Sequence, residues 1–233
     1  MSDAGVHNDN LEASAARILE GGTWKHQRAV LVMPAGKSIP FKVAAAMRSL
    51  ATPTNQPFAF VGAEGMEVGE AYNTTIEHIL QHPTFKDWEY LLFMEHDNVP
   101  PPDGYVRLVK QMEAHPELAA ISGLYWTKGE AGVPQIWGDV NDPVVNFRPQ
   151  PPRTGQLVEC YGIGQGFALY RLSMFKDAKL RKPWFKTLGG IGDEGSGTQD
   201  LYFWTDARKH GHRCAVDCSI LVGHLDSSTG VVW

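Results

Sequence analysis

Three short stretches place side chains able to do chemistry beside apolar runs. Glu89-Tyr90-Leu91-Leu92-Phe93-Met94 ends abruptly in Glu95-His96-Asp97-Asn98, and three prolines, Pro100, Pro101 and Pro102, follow. Two carboxylates one residue apart at such a point can hold a hard cation through oxygen ligands and leave positions open for phosphate oxygens. The same residues can equally form a solvated turn. Gly197-Thr198-Gln199-Asp200 leads into Leu201-Tyr202-Phe203-Trp204, so Asp200 is either a helix cap or a carboxylate displayed by a helix start. Val222-Gly223-His224 puts an imidazole directly after an apolar strand, as a surface or core residue or as a ligand. A fourth group, His210, His212, Cys214 and Cys218, falls within nine positions and offers zinc donors. Its spacing fits no common finger or ribbon, and His212–Val216 reads better as a strand.

The elements that must position these groups alternate between strand and helix. The first clear strand is Arg28–Met33, ending at Pro34-Ala35-Gly36, and a helix after Pro40 is expected to turn Phe41, Ala44 and Ala45 inward. A strand over Phe58–Val61 stops at Gly62, and the next helix buries Tyr72, Ile76, Ile79 and Leu80. Glu89–Met94 is apolar on both faces, the mark of a central strand. Asp103 opens a helix with Tyr105, Leu108, Val109 and Met112 on one side, and Leu118–Ser122 is a further strand. In open sheets of this kind ligands bind beyond the carboxyl ends of the strands, where Glu95 and Asp97 stand.

Residues 127–156 change character. Pro134, Pro143, Pro149, Pro151 and Pro152 exclude a long helix, so loops or short hairpins over the sheet are expected there, acting as a mobile cover. Regular structure returns with Gly164-Gln165-Gly166 before the strand Phe167–Tyr170, a helix from about Asp200 to Gly211, and strands at His212–Val216 and Ile220–Val222. The expectation is an α/β fold, a largely parallel sheet with helices, in a single domain over 25–233. Residues 1–24 form an appendage in which Leu11, Ala15, Ile18 and Leu19 share a helical face.

The bulk numbers narrow the function classes. The chain has 233 residues, 43% of them hydrophobic and 20% charged, enough for one large domain with a sizeable core. No apolar run approaches the roughly 18–20 residues of a membrane helix, and the N-terminal stretch lacks the basic and apolar regions of a signal peptide, so a cytoplasmic location is expected. A net charge of −5 with dispersed lysines and arginines does not signal a dominant nucleic-acid role. Cys160, Cys214 and Cys218 suit reduced thiols rather than a disulfide framework.

Taken together, the segments resemble the GT-A glycosyltransferases, the nucleotide-diphospho-sugar transferases, of the compact type found in bacteria and phages. The resemblance is carried in order by Phe93–Asp97, Pro100–Pro102, Ser122–Tyr125, Gly164–Arg171, Pro183–Phe185, Gln199–Phe203 and Val222–His224, and spans about residues 28–226. It implies a GT-A, Rossmann-like fold with a nucleotide-binding half over about 25–126 and an acceptor and catalytic half over 127–233. It implies transfer of a hexose or related sugar from a nucleotide-diphosphate donor, a UDP-sugar by preference, to a hydroxyl acceptor. That acceptor is a glycan, a lipid-linked sugar, a small molecule, a protein or a modified base in DNA.

The resemblance also assigns roles. Asp97 and His224 would hold manganese, or else magnesium, against the diphosphate, as a carboxylate with one imidazole suits. Glu95 replaces the first aspartate of the Asp-x-Asp motif and would reach the metal or the donor ribose. Gln199-Asp200 replaces Glu-Asp, keeping the aspartate that serves inverting relatives as general base; in retaining relatives a residue nearby orients substrates. Pro34, Ala35 and Gly36 would cradle the nucleoside and Asn73 would contact it. Gly164, Gln165 and Gly166 would shape the sugar and acceptor pocket. Trp126 and Trp137 would stack on sugar rings or pack as a lid. A non-catalytic nucleotide-sugar-binding protein of the same fold is the alternative from another class. A nucleotidyltransferase is a third, although its Gly-rich loop after the first strand is not evident.

Overall fold

The computed structural model describes residues 28–52, 57–189 and 197–233. The predicted appendage and its amphipathic helix lie outside them. One eight-stranded sheet runs through the molecule in the order β2-β1-β3-β8-β5-β9-β7-β6. Its first half comprises β1 (Ala29–Ala35), β2 (Phe58–Glu64), β3 (Tyr90–Met94) and β5 (Ala120–Leu124). The second half supplies β6 (Ile136–Asp139), β7 (Leu157–Ile163), β8 (Phe167–Arg171) and β9 (Cys214–Leu221). A separate two-stranded ribbon pairs β4 (Asn98–Val99) with β10 (Gly223–His224).

The expectation of an α/β fold with a flanked central sheet is met, but the sheet is mixed rather than largely parallel, its parallel pairs lying on both sides of β8. β1 runs parallel to β2 and β3, and β5 parallel to β9, whereas β8, β7 and β6 enter antiparallel. β8, from the C-terminal half of the chain, lies between β3 and β5. The two proposed halves therefore interleave within one sheet and are not spatially separate.

Helices cover both faces because the strand interiors are apolar on both. Side chains alternate along each strand. Val30, Val32, Leu91 and Phe93 pack with Tyr72, Ile76 and Ile79 of α2 (Val68–Gln81) and with Phe203 and Trp204 of α4 (Gln199–Ala207). Ala29, Leu31, Met33, Leu92 and Met94 pack on the other side with Tyr105, Leu108, Val109 and Met112 of α3 (Gly104–Ala114). α1 (Phe41–Ser49) corrects the expected inner face. Val43 is its buried residue, with Met47 one turn on packed against the same core, while Phe41 is 87% exposed. The Arg171 guanidinium donates to the carbonyls of Met112 (2.6 Å) and His115 (3.3 Å), a cation placed at the C-terminal end of α3.

Residues 127–156 are less of a loose cover than their prolines suggest. β6 is the last strand of the sheet, Trp137 bridges Pro149, and Gly138 and Gln150 donate backbone hydrogen bonds to Arg148 and Ile136. Pro149 is tolerated there because the bonds across this bridge are made by Arg148 and Gln150, so its missing N–H is not needed. No helix of the described residues is long and apolar enough to cross a membrane.

A surface pairing on this antiparallel side gives a stability test. Glu159 of β7 accepts from Arg213 Nε (2.8 Å) and Nη2 (2.6 Å), and this hydrogen bonding holds its carboxyl below the usual range. A carboxylate with a depressed folded value stabilises fully above its unfolded value, about 4.3, and loses that contribution as pH falls through the folded value. Because the pair is partly exposed, Glu159→Gln should cost only about 0.5–1 kcal/mol at neutral pH. In urea titrations the difference should shrink steadily below about pH 4.3 and in high salt. A pH-independent difference would assign the effect to packing.

Candidate active site

The carboxyl ends of β1 and β3 lie side by side because the two strands are parallel neighbours. Beyond them opens a cavity of about 390 Å³, within the range of small-molecule sites. Pro34, Ala35 and Gly36 form one wall, Glu95, His96 and Asp97 another, and Met66, Val68 and Gln199 complete it. The predicted nucleoside cradle and acidic motif thus share one space. A Cβ on Gly36 would meet no protein atom within 4 Å, so the backbone there is open to close approach.

Asp97 and His224, far apart in sequence, are joined by the β4–β10 ribbon. Asn98 is in register with His224, and Leu225 N donates to the Asp97 carbonyl at 2.7 Å. The end of the described chain braces this ribbon, since His224 and Trp233 exchange two backbone hydrogen bonds of 3.0 Å. His224 Nε2 lies 3.4 Å from Asp97 Oδ2. Its Nδ1 is 2.7 Å from the Trp126 carbonyl. A carbonyl has no proton to give, so Nδ1 must be the donor, and Nε2 is left facing the Asp97 carboxylate, donating to it when it carries a proton and offering its lone pair to a cation when it does not. This is how ligating histidines are oriented in metal sites. The same Oδ2 receives the Lys128 ammonium at 2.6 Å. Burial works to raise the Asp97 carboxyl, but the His224 and Lys128 contacts outweigh it and hold it down at about 2.

Glu95 is drawn away from that pair. Its Oε1 accepts from the Tyr72 hydroxyl (3.2 Å) and from Gln199 Nε2 (3.5 Å). Burial, then the charges of Asp97 and Asp200, push it up to about 7. Among the described residues no three His, Cys, Asp or Glu side chains come together as a metal-holding group. Of the expected Glu95, Asp97 and His224, the structure brings Asp97 and His224 together, with Glu95 on the cavity wall beside them. Two protein ligands suit Mg²⁺ or Mn²⁺ that keeps phosphate and water in its other positions. Nor do the rival zinc donors converge. His212 pairs with Asp177 at 3.0 Å and His210 with Asp206 at 3.9 Å, while Cys214 is buried beside Cys160.

Asp200 sits in the first turn of α4, 6% exposed. One carboxylate oxygen accepts from the Thr198 hydroxyl and from Leu201 N (2.9 Å), and burial raises its proton affinity. Its neighbour Gln199 lines the cavity, while the buried Asp200 carboxyl stands behind it and is not itself part of the lining.

Three expectations are corrected. Asn73 is committed to architecture: Nδ2 donates to the Gly69 and Phe185 carbonyls (2.7 Å each) and Oδ1 accepts from Phe185 N (3.0 Å). It clamps Pro183-Trp184-Phe185 onto α2, with the Trp184 and Phe185 rings buried. Gly164-Gln165-Gly166 lies behind the cavity. Gln165 is 1% exposed with Nε2 donating to the Tyr170 hydroxyl, and Gly166 N donates to the Tyr125 hydroxyl. A Cβ on Gly166 would stand 2.6 Å from Tyr125 Cζ and from Asn98 Oδ1, so glycine is demanded by packing against Tyr125 and Asn98. The Trp126 ring packs against the core, and its contribution to the site is the carbonyl on His224. Trp137 donates from Nε1 to Gln135. Lys128 is a site residue that no sequence pattern singled out, because nothing local ties it to Asp97, and Gln199, read from the sequence only as the replacement of a glutamate, lines the cavity and donates to Glu95.

No protein-family model matches the chain, and no curated protein does. Among solved structures it is similar to A197 from STIV, with a TM-score of 0.61 and 15% identical residues over 86% of this chain and 87% of that one. At that identity the likeness concerns the fold.

Proposed function

We propose that the protein is a glycosyltransferase that binds a nucleotide-diphosphate sugar, a UDP-sugar by preference, and transfers its sugar to a hydroxyl acceptor. The reading rests on one juxtaposition. The open β1 end, the Glu95–Asp97 wall and the start of α4 surround a single cavity, and His224 is fixed by Trp126 with Nε2 turned to Asp97.

Asp97 and His224 would hold Mn²⁺ or Mg²⁺, which supplies positive charge to the departing nucleoside diphosphate. The main chain at Pro34-Ala35-Gly36 would receive the nucleoside. Glu95, with one oxygen taken up by Tyr72 and Gln199, has its other oxygen for a donor hydroxyl. Asp200 would take the proton of the acceptor hydroxyl as it attacks the anomeric carbon. Its burial favours that role by raising its affinity for a proton.

The test is a panel of nucleoside diphosphates and nucleotide-sugars, measured by calorimetry with Mn²⁺ or with excess chelator and then assayed for slow hydrolysis of the sugar bond. A nucleoside diphosphate should bind in Mn²⁺, and at least one nucleotide-sugar should be hydrolysed. Binding without hydrolysis or transfer would favour a nucleotide-sugar-binding protein. No binding by any member would sink the reading.

A further inference from the structure

The cation contact at the candidate metal position is made by a side chain on a hairpin tip. Residues 125–135 fold back on themselves. Gln135 N donates to the Tyr125 carbonyl, Thr127 N to the Val133 carbonyl, and Val133 N to the Thr127 hydroxyl, all at 2.9 Å. Lys128-Gly129-Glu130-Ala131-Gly132 forms the tip, with Gly129 at φ 99°. The hairpin stem also carries the Trp126 carbonyl that orients His224. One short element therefore fixes the imidazole and lays an ammonium on the carboxylate beside it.

We propose that Lys128 is the resident counterion of Asp97 before a metal binds, is displaced when a divalent cation takes Asp97 and His224, and then pairs with the donor diphosphate. The inference rests on the metal-dependent donor site argued above and assigns that site an additional phosphate-binding residue. Three observations carry it. Lys128 Nζ and His224 Nε2 both approach the same atom, Asp97 Oδ2, at 2.6 and 3.4 Å. A divalent ion bound to that oxygen would face the ammonium at a distance where like charges repel strongly, so the two cations exclude one another. Lys128 is free to leave: its side chain is 36% exposed and its four-carbon stem can swing without moving the hairpin. Its destination lacks a cation of its own, because the described residues lining the cavity include neither lysine nor arginine. A diphosphate carries more negative charge than one divalent ion neutralises. The stem's tie to His224 keeps the displaced ammonium within a side chain's length of the site.

The experiment separates the exchange from the metal reading beneath it. Mn²⁺ affinity is measured without nucleotide from the spin-resonance signal of the free ion, in the wild-type chain, Lys128→Met and Asp97→Ala. UDP affinity is then measured at saturating Mn²⁺. Methionine keeps the length and apolar stem and removes the charge. Lys128→Met should bind Mn²⁺ about fivefold or more tightly, having lost a half-exposed competing pair. The same variant should bind UDP about tenfold more weakly, the loss of one charge-assisted hydrogen bond. Unchanged or weaker Mn²⁺ binding in Lys128→Met overturns the competition. Tighter Mn²⁺ with unaltered UDP affinity overturns the transfer to the diphosphate. Failure of every variant, including wild type, to bind Mn²⁺ overturns the metal site itself and the exchange with it. A wild type that binds Mn²⁺ and an Asp97→Ala that does not would keep the metal reading whichever way Lys128→Met behaves.

Discussion

Asp97→Ala is expected to lower nucleoside-diphosphate affinity in Mn²⁺ by at least about 100-fold, since loss of even an outer-shell partner of a metal ligand costs 10–100-fold. Fold stability should fall as well, by up to about 2–3 kcal/mol at neutral pH, because a carboxyl held at about 2 in the folded chain contributes roughly that much. The β4–β10 ribbon should persist, since it is held by the Asp97 carbonyl, a backbone group that alanine retains. Binding is therefore compared at a temperature well below the melting point of the variant. His224→Ala should act in the same direction by about 10–100-fold. It leaves the Trp126 carbonyl without its partner, a small penalty at a half-buried position. Calorimetry of UDP with Mn²⁺ and with excess chelator measures all three proteins. UDP binding that is unchanged by chelator and by both substitutions would remove the metal from the site. A loss confined to Asp97→Ala would remove only His224.

Legibility in the sequence followed burial. β1 and β3 were readable because runs such as Leu91-Leu92-Phe93-Met94 are apolar on both faces, and α2 and α3 because their buried residues recur at helical spacing. The inner face of α1 was not, since a nine-residue helix with one buried side chain carries too little periodicity to fix its phase. β7 escaped notice for a related reason. Leu157-Val158-Glu159-Cys160 alternates between half-buried and buried positions, and the charge of Glu159 sits mid-strand, paired with Arg213. β6 lay hidden among prolines, of which Pro149 bridges Trp137 without needing an N–H. The insertion of β8 between β3 and β5 is a long-range pairing that no local pattern encodes.

The site divides in the same way. Asp97, His224 and Asp200 could be picked out because each adjoins an apolar element, Asp97 and His224 after a strand and Asp200 at the start of a helix. Asn73 and Gln165 were misread as ligand contacts because a polar residue within an apolar stretch looks alike whether it faces substrate or holds a backbone. Only the three-way bonding of Asn73 to Gly69 and Phe185 reveals the latter. Lys128 carries no local signal at all. Its significance comes from the folding of residues 125–135 into a hairpin over Asp97.

Asp200→Asn divides catalysis from architecture. The carboxylate oxygen that accepts from Thr198 and Leu201 can be replaced by the asparagine amide oxygen, and asparagine caps helices about as well as aspartate. A buried carboxylate is costly to keep charged, and no lysine or arginine is paired with Asp200 among the ion pairs of the described residues. Removing its charge should leave thermal stability unchanged or slightly raised. Relief of its repulsion should also lower the proton affinity of Glu95, whose carboxyl it helps to raise. Donor affinity in Mn²⁺ should stay near the wild-type value, because the proposed metal ligands are untouched. Sugar transfer to an acceptor should nevertheless fall by on the order of 10²–10⁴-fold, the usual worth of a general base. Three measurements on one variant therefore fix the role: the melting temperature, the Kd for UDP with Mn²⁺, and kcat for transfer. If kcat keeps its wild-type value while the helix stays capped, Asp200 is a structural residue, and the base must be sought elsewhere along the cavity wall. If the melting temperature falls together with kcat, the carboxylate's hydrogen bonds at the start of α4 account for the loss, and the case for proton transfer by Asp200 fails.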